Sequence, residues 1–260
     1  MPAFAANLSL MFNEWDFLDR FKAAADAGFN AVEYLFPYEH APDEIGRRLE
    51  DAGLTQAVFN LPPGEWAKGE RGLAALPDRF DAVKAGVDKA LPYIQATKVE
   101  RVHLMAGIAA WDDPLAMAAY RRSLSHVCER LAEIGVTVLI EPINKLDMPG
   151  YFLNSVDNAA GLIPLTRLQN LRLQFDIYHC QILHGDVTRR LCRLLPIIGH
   201  VQIASVPSRN EPDGEELNYP YLFQELDLLD YQGFVGCEYR PRGKTLDGLD
   251  WFTDAGGRAG

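Results

Sequence analysis

LRLQFDIYH, residues 171–179, is the stretch of sequence that decides the predicted fold. Over residues 171–176, Leu, Leu and Phe alternate with Arg, Gln and Asp, which is the period of a β-strand with two different faces. In a barrel covered by helices the apolar face packs outward, so the polar face points into the interior. The pattern therefore predicts a barrel strand with a polar inner face and a carboxylate, Asp176, at its end.

Similar strands recur along the chain, separated by longer amphipathic segments that predict helices. Strands are predicted at 4–10, 31–36, 55–60, 100–106, 136–141, 171–176, 199–203 and 234–239, and helices near 16–27, 42–52, 78–97, 112–134, 155–166, 179–196 and 219–231. Eight strands alternating with helices are what a closed (β/α)8 TIM barrel requires, and we predict a single α/β domain of this kind over residues 1–260. An open doubly wound sheet is the alternative, although it normally has fewer strands.

Four glycines support the predicted boundaries. Gly28, Gly53, Gly135 and Gly233 each follow a helical segment and precede a strand. Helices commonly end on a residue in the left-handed conformation, which glycine adopts without steric cost. We therefore expect a positive φ angle at all four positions.

Composition and charge exclude several classes of protein. The formal net charge of −11 argues against a nucleic-acid partner, which needs a basic face. No stretch approaches the roughly 20 apolar residues of a membrane span. The four cysteines form no C-x-x-C pair, and the N-terminal residues lack the basic region of a signal peptide. We therefore expect a cytoplasmic protein with no nucleic-acid and no membrane partner, while a homo-oligomer stays open.

Three carboxylates and one amide stand at the ends of four successive strands, on the predicted inner face. They are Glu141, Asp176, Gln202 and Glu238, at spacings of 35, 26 and 36 residues, each about one strand–helix unit. Such residues converge at the C-terminal end of a barrel, where active sites lie. Carboxylates that face one another repel unless a cation neutralises them, and oxygen ligands favour Mg²⁺ or Mn²⁺. We therefore predict one divalent metal ion held by these four side chains; the alternative is that each carboxylate caps a helix or pairs with an arginine.

Several motifs connect the chain to a known family. They are AANLSLMF (5–12), EYLFPY (33–38), GERG (69–72), LIEPIN (139–144), FDIYH (175–179), GHVQIA (199–204), GEELNYPYLF (214–223) and GCEYRPRG (236–243). On these motifs the chain resembles the hydroxypyruvate isomerase family of the xylose-isomerase-like barrels over nearly its whole length. The members that it resembles divide between hydroxypyruvate isomerases and 2-oxo-tetronate isomerases. EPIN and GERG favour the former and the PRG after Glu238 favours the latter, so hydroxypyruvate is the preferred substrate.

The resemblance implies an enzyme that isomerises a small keto acid, here hydroxypyruvate to tartronate semialdehyde. It implies that Glu141 and Glu238 act as acid and base besides binding the metal, and that His179 reaches the substrate. Two carboxylates can move a proton between adjacent carbons through an enediolate while a metal polarises the substrate oxygens. A ketose 3-epimerase would use the same metal and the same pair of glutamates.

Further side chains are candidates for contact with the substrate. His103 faces inward on the fourth predicted strand. A keto acid needs a cation for its carboxylate, for which Arg209 is the first choice and Arg71 the second. Both arginines lie in long loops, 204–218 and 61–77, that could close over the site. Secondary candidates are Arg240, Arg242, Glu33, Asn60 and His200.

Two other functions compete with the isomerase. A metal-dependent abasic-site endonuclease on the same barrel would need a histidine-rich zinc cluster and a basic face, whereas the six histidines are scattered and the net charge is −11. A non-catalytic sugar-binding or regulatory barrel would not need four metal ligands. The sequence therefore favours the isomerase.

Overall fold

The strands of the computed structural model, which describes residues 2–257, form one closed parallel barrel. They are β1 (Ala3–Asn7), β2 (Ala31–Tyr34), β3 (Thr55–Asn60), β4 (Arg101–His103), β5 (Thr137–Ile140), β6 (Leu171–Asp176), β7 (Ile198–Ile203) and β8 (Phe234–Cys237). Each strand pairs with the next in the chain, and β1 pairs with β8 to close the ring. The predicted (β/α)8 barrel is confirmed and the open sheet is excluded. Residues 1 and 258–260 of the predicted domain lie outside the described residues.

Helices surround this barrel. Within residues 2–257 the α-helices are α1 (Arg20–Asp26), α2 (Pro42–Ala52), α3 (Phe80–Thr97), α4 (Pro114–Ala132), α5 (Val156–Thr166), α6 (Ile177–Leu183), α7 (Val187–Leu194), α8 (Tyr219–Leu228) and α9 (Asp250–Asp254). Short 3₁₀ turns lie at Phe17–Asp19, Trp66–Lys68, Pro77–Arg79, Leu195–Ile197 and Thr245–Gly248. None of the helices in the described part of the chain is long and apolar enough to cross a membrane.

The predicted helix 179–196 is wrong in one respect, because the chain forms two helices there. Gly185 and Asp186 both have positive φ angles, 64° and 50°, which end α6 before α7 begins. Asp176 is the N-cap of α6, so this helix starts directly at the end of β6. The early start brings His179, one turn into α6, to the same end of the barrel as Asp176.

The prediction for the four glycines is confirmed at three positions. Gly28, Gly53 and Gly135 have φ angles of 93°, 65° and 73°. Gly233 does not have a positive φ angle; instead Asp230, just after α8, takes the left-handed conformation with φ 54°. An aspartate tolerates this region better than most side chains, and here it makes the turn three residues before the glycine.

A bulge in β3 changes which of its residues face the interior. Val32 pairs with Gln56 and Tyr34 with Phe59, so β3 contains one residue more than β2 between these pairs. As a result Ala57 packs with Ala5 and Ala31 around Phe234 inside the barrel, while Asn60, three residues later, lines the cavity at the C-terminal end. The small alanines leave room for the Phe234 ring, which packs against them.

Candidate active site

The four residues predicted to bind metal lie at the C-terminal ends of their strands, as expected. Asp176 and Gln202 end paired segments of β6 and β7, and Glu141 and Glu238 directly follow β5 and β8. All four are buried. Glu141 and Glu238 line a cavity of about 410 Å³ together with His103, His179, Arg71 and Arg209, so the barrel brings the four main predicted substrate-contact residues to one place.

Glu141 and His179, which line this cavity, form a compact group with the buried Asp176. One potential ligand atom from each lies within 4.8 Å of the other two. His179 Nε2 is 3.8 Å from Glu141 Oε1 and 3.6 Å from Asp176 Oδ2. Within residues 2–257 these two carboxylate oxygens are buried and have no hydrogen-bond partner. Unpartnered buried oxygens of this kind are costly unless something pairs with them, and a hard cation fits the donor set.

Asp176 has two separate tasks, one for each oxygen. Oδ1 accepts from the backbone N–H groups of Tyr178, at 2.8 Å, and His179, at 3.4 Å, and so caps α6. This cap fixes the side-chain torsion and leaves Oδ2 facing the cluster. The predicted alternative that each carboxylate caps a helix is therefore correct for one oxygen of Asp176 and leaves the other available.

Gln202 reaches the site with its amide nitrogen toward the glutamates. Nε2 donates to Glu33 Oε1 at 2.8 Å and also to Glu238 Oε2, while Oε1 accepts from Gln174 Nε2 at 2.7 Å. The amide would have to turn over for its oxygen to join the cluster. The predicted role of Gln202 as an oxygen ligand stays a prediction, and Gln174 is a neighbour that the sequence interpretation did not use.

A buried polar network supports the site from below. The Glu33 carboxylate receives hydrogen bonds from Asn7 Nδ2 at 2.9 Å and from Gln202, and it lies 2.6 Å from His200 Nε2. A Cβ atom at Gly236 would overlap the carboxylate, so a larger residue there would displace Glu33 from this network. Glu33 and His200 therefore hold the inner wall in place and, unlike Asn60, do not line the cavity.

Arg209 is bound to two acidic side chains. Its guanidinium donates to Glu238 Oε1 at 2.7 Å and to Asp147 Oδ2 at 2.9 Å, and lies over the Tyr178 ring at 4.9 Å. Arg209 is thus the nearest positive charge to the carboxylates. The alternative that a carboxylate pairs with an arginine is realised at Glu238.

Arg71 approaches the cavity from the opposite wall. Its guanidinium stacks on the Trp66 ring at 4.0 Å and donates to the backbone oxygens of Trp66 and Glu70. The loop that carries it is joined to the segment that follows β4 by a bridge between Gly72 and Ala106. Arg240 also lines the cavity, whereas Arg242 pairs with Asp213 and does not.

Burial governs the protonation of the central groups. It raises the pKa of Glu141 well above its ordinary value, with Glu238 and Asp176 adding to the effect, and raises that of Asp176 to about 6 and of Glu238 to about 8. Arg209 opposes each of these increases. Burial also lowers the pKa of His103 to about 3 and that of His179 well below its ordinary value. The site therefore holds neutral imidazoles beside carboxylates that need a positive charge to ionise fully.

His103 completes the site together with three side chains for which no role was predicted from the sequence. His103 Nδ1 is 3.6 Å from Glu141 Oε2, and neither ring nitrogen has a hydrogen-bond partner within the described residues. The side chains without a predicted role are Asn144, Asp147 and Gln174. Asn144 belongs to the motif LIEPIN, which was the available signal, while the contacts of Asp147 and Gln174 arise between loops or strands and have no local signature.

Comparison with known proteins places the chain in a family. The model of the xylose isomerase-like TIM barrel family matches residues 21–255. A 2-oxo-tetronate isomerase from Cupriavidus necator is 54% identical, covering 99% of this chain and 100% of that protein. A hydroxypyruvate isomerase from Escherichia coli is 40% identical, covering 97% and 98%. A crystal structure described as an AP endonuclease, family 2, from Brucella melitensis is 49% identical, with a TM-score of 0.96 and coverage of 98% and 99%.

The chain belongs to the xylose isomerase-like TIM barrel family. Its full-length similarity to relatives that are named isomerases confirms the predicted enzyme class, an isomerase. The same relatives confirm the predicted resemblance to the hydroxypyruvate and 2-oxo-tetronate isomerases.

Proposed function

We propose that the chain converts a 2-oxo acid with a hydroxyl group on C3 into its 3-oxo, 2-hydroxy isomer. The observation that carries this proposal is that Glu141 and Glu238, from strands on different sides of the barrel, line one cavity that also contains three arginines. One carboxylate can remove the proton from one carbon atom and the other can return a proton to the neighbouring carbon atom, and an arginine can bind the substrate carboxylate. Hydroxypyruvate and 2-oxo-tetronate share this reacting unit and differ by one hydroxymethyl group.

A divalent metal, Mg²⁺ or Mn²⁺, fits the residues present. Glu141 and Asp176 would hold it through the buried oxygens that lack partners, joined by Glu238 and by Gln202 once its amide is turned. Such an ion, when bound, supplies a positive charge that polarises neighbouring oxygens. Oxygen ligands and the absence of thiolates from this group favour the hard ions over zinc.

Side chains of the protein transfer the proton between C3 and C2 of the substrate. One of the two glutamates removes the proton from C3, which gives an enediolate, and a carboxylic acid returns a proton to C2. The proton of the C3 hydroxyl group passes to the oxygen on C2, so that C3 becomes the carbonyl carbon and C2 carries the hydroxyl group. The raised pKa values of both glutamates suit groups that alternate between acid and base near neutral pH. Trp66 and Phe36, whose rings pack at 5.2 Å, cover part of the cavity and limit the access of water to the reacting carbons.

The choice of substrate is the point on which sequence motifs and relatives differ. The motifs favour hydroxypyruvate, whereas the relative at 54% identity is named for 2-oxo-tetronate. The sequence identity to this relative is higher than the 40% identity to the hydroxypyruvate isomerase, which supports 2-oxo-tetronate as the first substrate to test. The shared reacting unit makes measurable activity on both acids the expected result.

A substrate panel tests the proposed function. Purified protein with Mg²⁺ or Mn²⁺ is incubated with hydroxypyruvate, 2-oxo-tetronate and several ketohexoses, and the products are followed by NMR. A shift of the oxo group along the carbon chain of a keto acid is the expected result. Inversion at C3 of a ketohexose without such a shift would instead indicate a ketose 3-epimerase.

The endonuclease interpretation needs its own test, because the relative at 49% identity is described as an AP endonuclease. The net charge of −11 and a central cluster with one histidine and two carboxylates do not resemble a histidine-rich zinc site on a basic face. A duplex oligonucleotide with a single abasic site is therefore added to the panel. Cleavage of this duplex at a rate comparable with isomerisation would contradict the proposed function.

Replacement of the cavity arginines should weaken substrate binding. Arg71→Ala is expected to raise KM about ten- to a hundredfold, because a charge-assisted hydrogen bond contributes about 1.5–3 kcal/mol. Arg209→Ala should raise KM in the same range and also lower kcat, because Arg209 donates to Glu238. Steady-state kinetics on the better acid of the panel measure both effects.

A surface arginine provides the control for these two variants. Arg130, at the end of α4, pairs with Glu133 on the outside of the barrel, so Arg130→Ala should leave KM unchanged. Unchanged KM in both Arg71→Ala and Arg209→Ala would remove these residues from substrate binding.

A further inference from the structure

Asn144 is fixed in one orientation by two backbone groups. It lies three residues after Glu141, is fully buried, and its Oδ1 accepts from the N–H groups of Leu146 and Asp147, each at 2.9 Å. An amide NH2 group cannot accept hydrogen bonds, so these two donors identify the atom that faces them as the oxygen. The Nδ2 atom must therefore point the other way, and there it lies 2.8 Å from His179 Nδ1.

This contact determines which nitrogen of His179 carries the proton. Asn144 Nδ2 can only donate, and the backbone N–H of Asn144 also points at Nδ1, at 3.4 Å. Nδ1 must then be the acceptor, with its lone pair free of a proton. In a neutral imidazole the proton is left on Nε2.

The protonated Nε2 faces the reaction cavity. It lies between Glu141 Oε1 and Asp176 Oδ2, at 3.8 and 3.6 Å, distances too long for hydrogen bonds. Within residues 2–257 no protein atom accepts a hydrogen bond from it. A nitrogen that carries a proton has no lone pair for a metal ion, so the grouping of His179 with the two carboxylates does not make it a ligand.

We propose that Asn144 is a positioning residue that locks His179 with its proton on Nε2, so that His179 donates a hydrogen bond to a substrate oxygen and does not bind the metal. The substrate oxygen belongs to the keto acid of the proposed function, on which this part rests. A fixed N–H donor at that place stabilises the negative charge that develops on the oxygen when the neighbouring carbon loses its proton. No proton is transferred from His179 in this role.

The position of the proton can be read directly by NMR on the unmodified protein. Protein labelled with ¹⁵N-histidine is studied by long-range ¹H–¹⁵N correlation, which distinguishes the two neutral forms of the ring, and His179→Gln identifies the signals of His179 among the six histidines. A proton on Nε2 is expected, and a proton on Nδ1 overturns the inference. The result does not depend on activity, so it stays separate from any failure of the substrate panel.

Asn144→Asp tests the lock in the metal-saturated protein. The carboxylate keeps an oxygen for the N–H groups of Leu146 and Asp147 but turns an acceptor toward His179 Nδ1, so the proton should move from Nε2 to Nδ1. The expected loss in kcat/KM is about 10²–10³-fold, as for removal of one donor to a developing oxyanion. Retention of the proton on Nε2 overturns the lock, and a moved proton with unchanged kcat/KM overturns the donor role.

Two substitutions of His179 separate donation from metal binding without changing Asn144. His179→Phe removes the donor and should lower kcat/KM, whereas His179→Gln can place an amide N–H near the former Nε2 and should recover part of the activity. Titration calorimetry with Mn²⁺ should give the same metal affinity for His179→Phe and the unmodified protein. The loss of a residue that supports a metal site typically weakens metal binding roughly 10–100-fold. A loss of Mn²⁺ affinity of that size in His179→Phe would overturn the proposal.

Discussion

Glu141→Gln and Glu238→Gln are each expected to lower kcat by at least about 10²–10⁴-fold, the usual contribution of general acid–base catalysis. Each replacement keeps an oxygen that can bind metal and nearly the same shape, but it removes the group that takes up and returns the proton. The two glutamates line the same cavity and both have a raised pKa, which supports the proposed role as acid and base. Turnover is measured at saturating metal, with metal binding confirmed separately for each variant.

The control for this pair is an exposed glutamate. Glu133 lies just after α4, where it is exposed and pairs with Arg130, so Glu133→Gln should retain the activity of the unmodified protein. Gln202→Glu is a poor control, because it would remove the donor to Glu33 and Glu238 and place a third carboxylate against them. If one of the two site variants turned over normally with metal bound, that glutamate would be a ligand only.

Isotope labelling adds a second measurement on the same reaction. A proton that passes through a carboxylate exchanges with solvent, so product formed in D₂O should contain deuterium at C2. Product entirely free of solvent deuterium would favour a hydride shift between the carbons. A proton that is shielded from solvent and returned by the same base would also give product without solvent deuterium. Substrate deuterated at C3 distinguishes this case from a hydride shift, through the fraction of label that the product retains at different pH values.

The sequence is sufficient to predict the positions of the four strand-end residues. Strand alternation gives the direction of Glu141, Asp176, Gln202 and Glu238, and the regular strand–helix unit brings the ends of neighbouring strands together. These are local rules applied several times. They require no knowledge of how any loop folds, and the structure confirms that the four residues lie at the ends of barrel strands.

The remaining features depend on contacts that no local pattern contains. The break between α6 and α7 is an exception, because Gly185 inside the predicted helix was a local signal for the left-handed conformation that Gly185 and Asp186 take there, and the helix was nevertheless predicted as continuous. The bulge in β3 appears only when its register against β2 is known. The amide orientation of Gln202 depends on Gln174 and Glu33, which come from two other strands.

The assignment of His179 shows how the two kinds of information combine. Its place three residues after Asp176 indicated a side chain at the exit of the strand, but spacing alone cannot separate a metal ligand from a hydrogen-bond donor. The distinction depends on Asn144, which follows a different strand, and on the two N–H groups that orient its amide. Sequence therefore located the imidazole, and three-dimensional contacts give its chemistry.

Asp176→Asn is expected to weaken metal binding by at least about a hundredfold, roughly 2.7 kcal/mol, while leaving the metal-free fold intact. The asparagine keeps an oxygen for the N–H groups of Tyr178 and His179, so α6 stays capped, but the buried negative charge that faces the cluster is lost. Divalent ions bind more weakly as the number of charged ligands falls. Calorimetry with Mn²⁺ measures the affinity, and activity should return in part at high metal concentration.

The stability of the metal-free protein distinguishes this loss of charge from a loss of structure. Burial raises the pKa of Asp176 to about 6, so the folded state holds this proton more tightly than the unfolded state, and the ionised carboxylate destabilises the metal-free fold above that pH. At pH 8 the free energy of unfolding of metal-free Asp176→Asn should therefore equal or exceed that of the unmodified protein. Asp176→Ala, which also removes the helix cap, should be less stable than Asp176→Asn by about 0.5–2 kcal/mol. Metal affinity in Asp176→Asn equal to that of the unmodified protein would show that Asp176 only caps α6 and that the metal, if one binds, is held elsewhere.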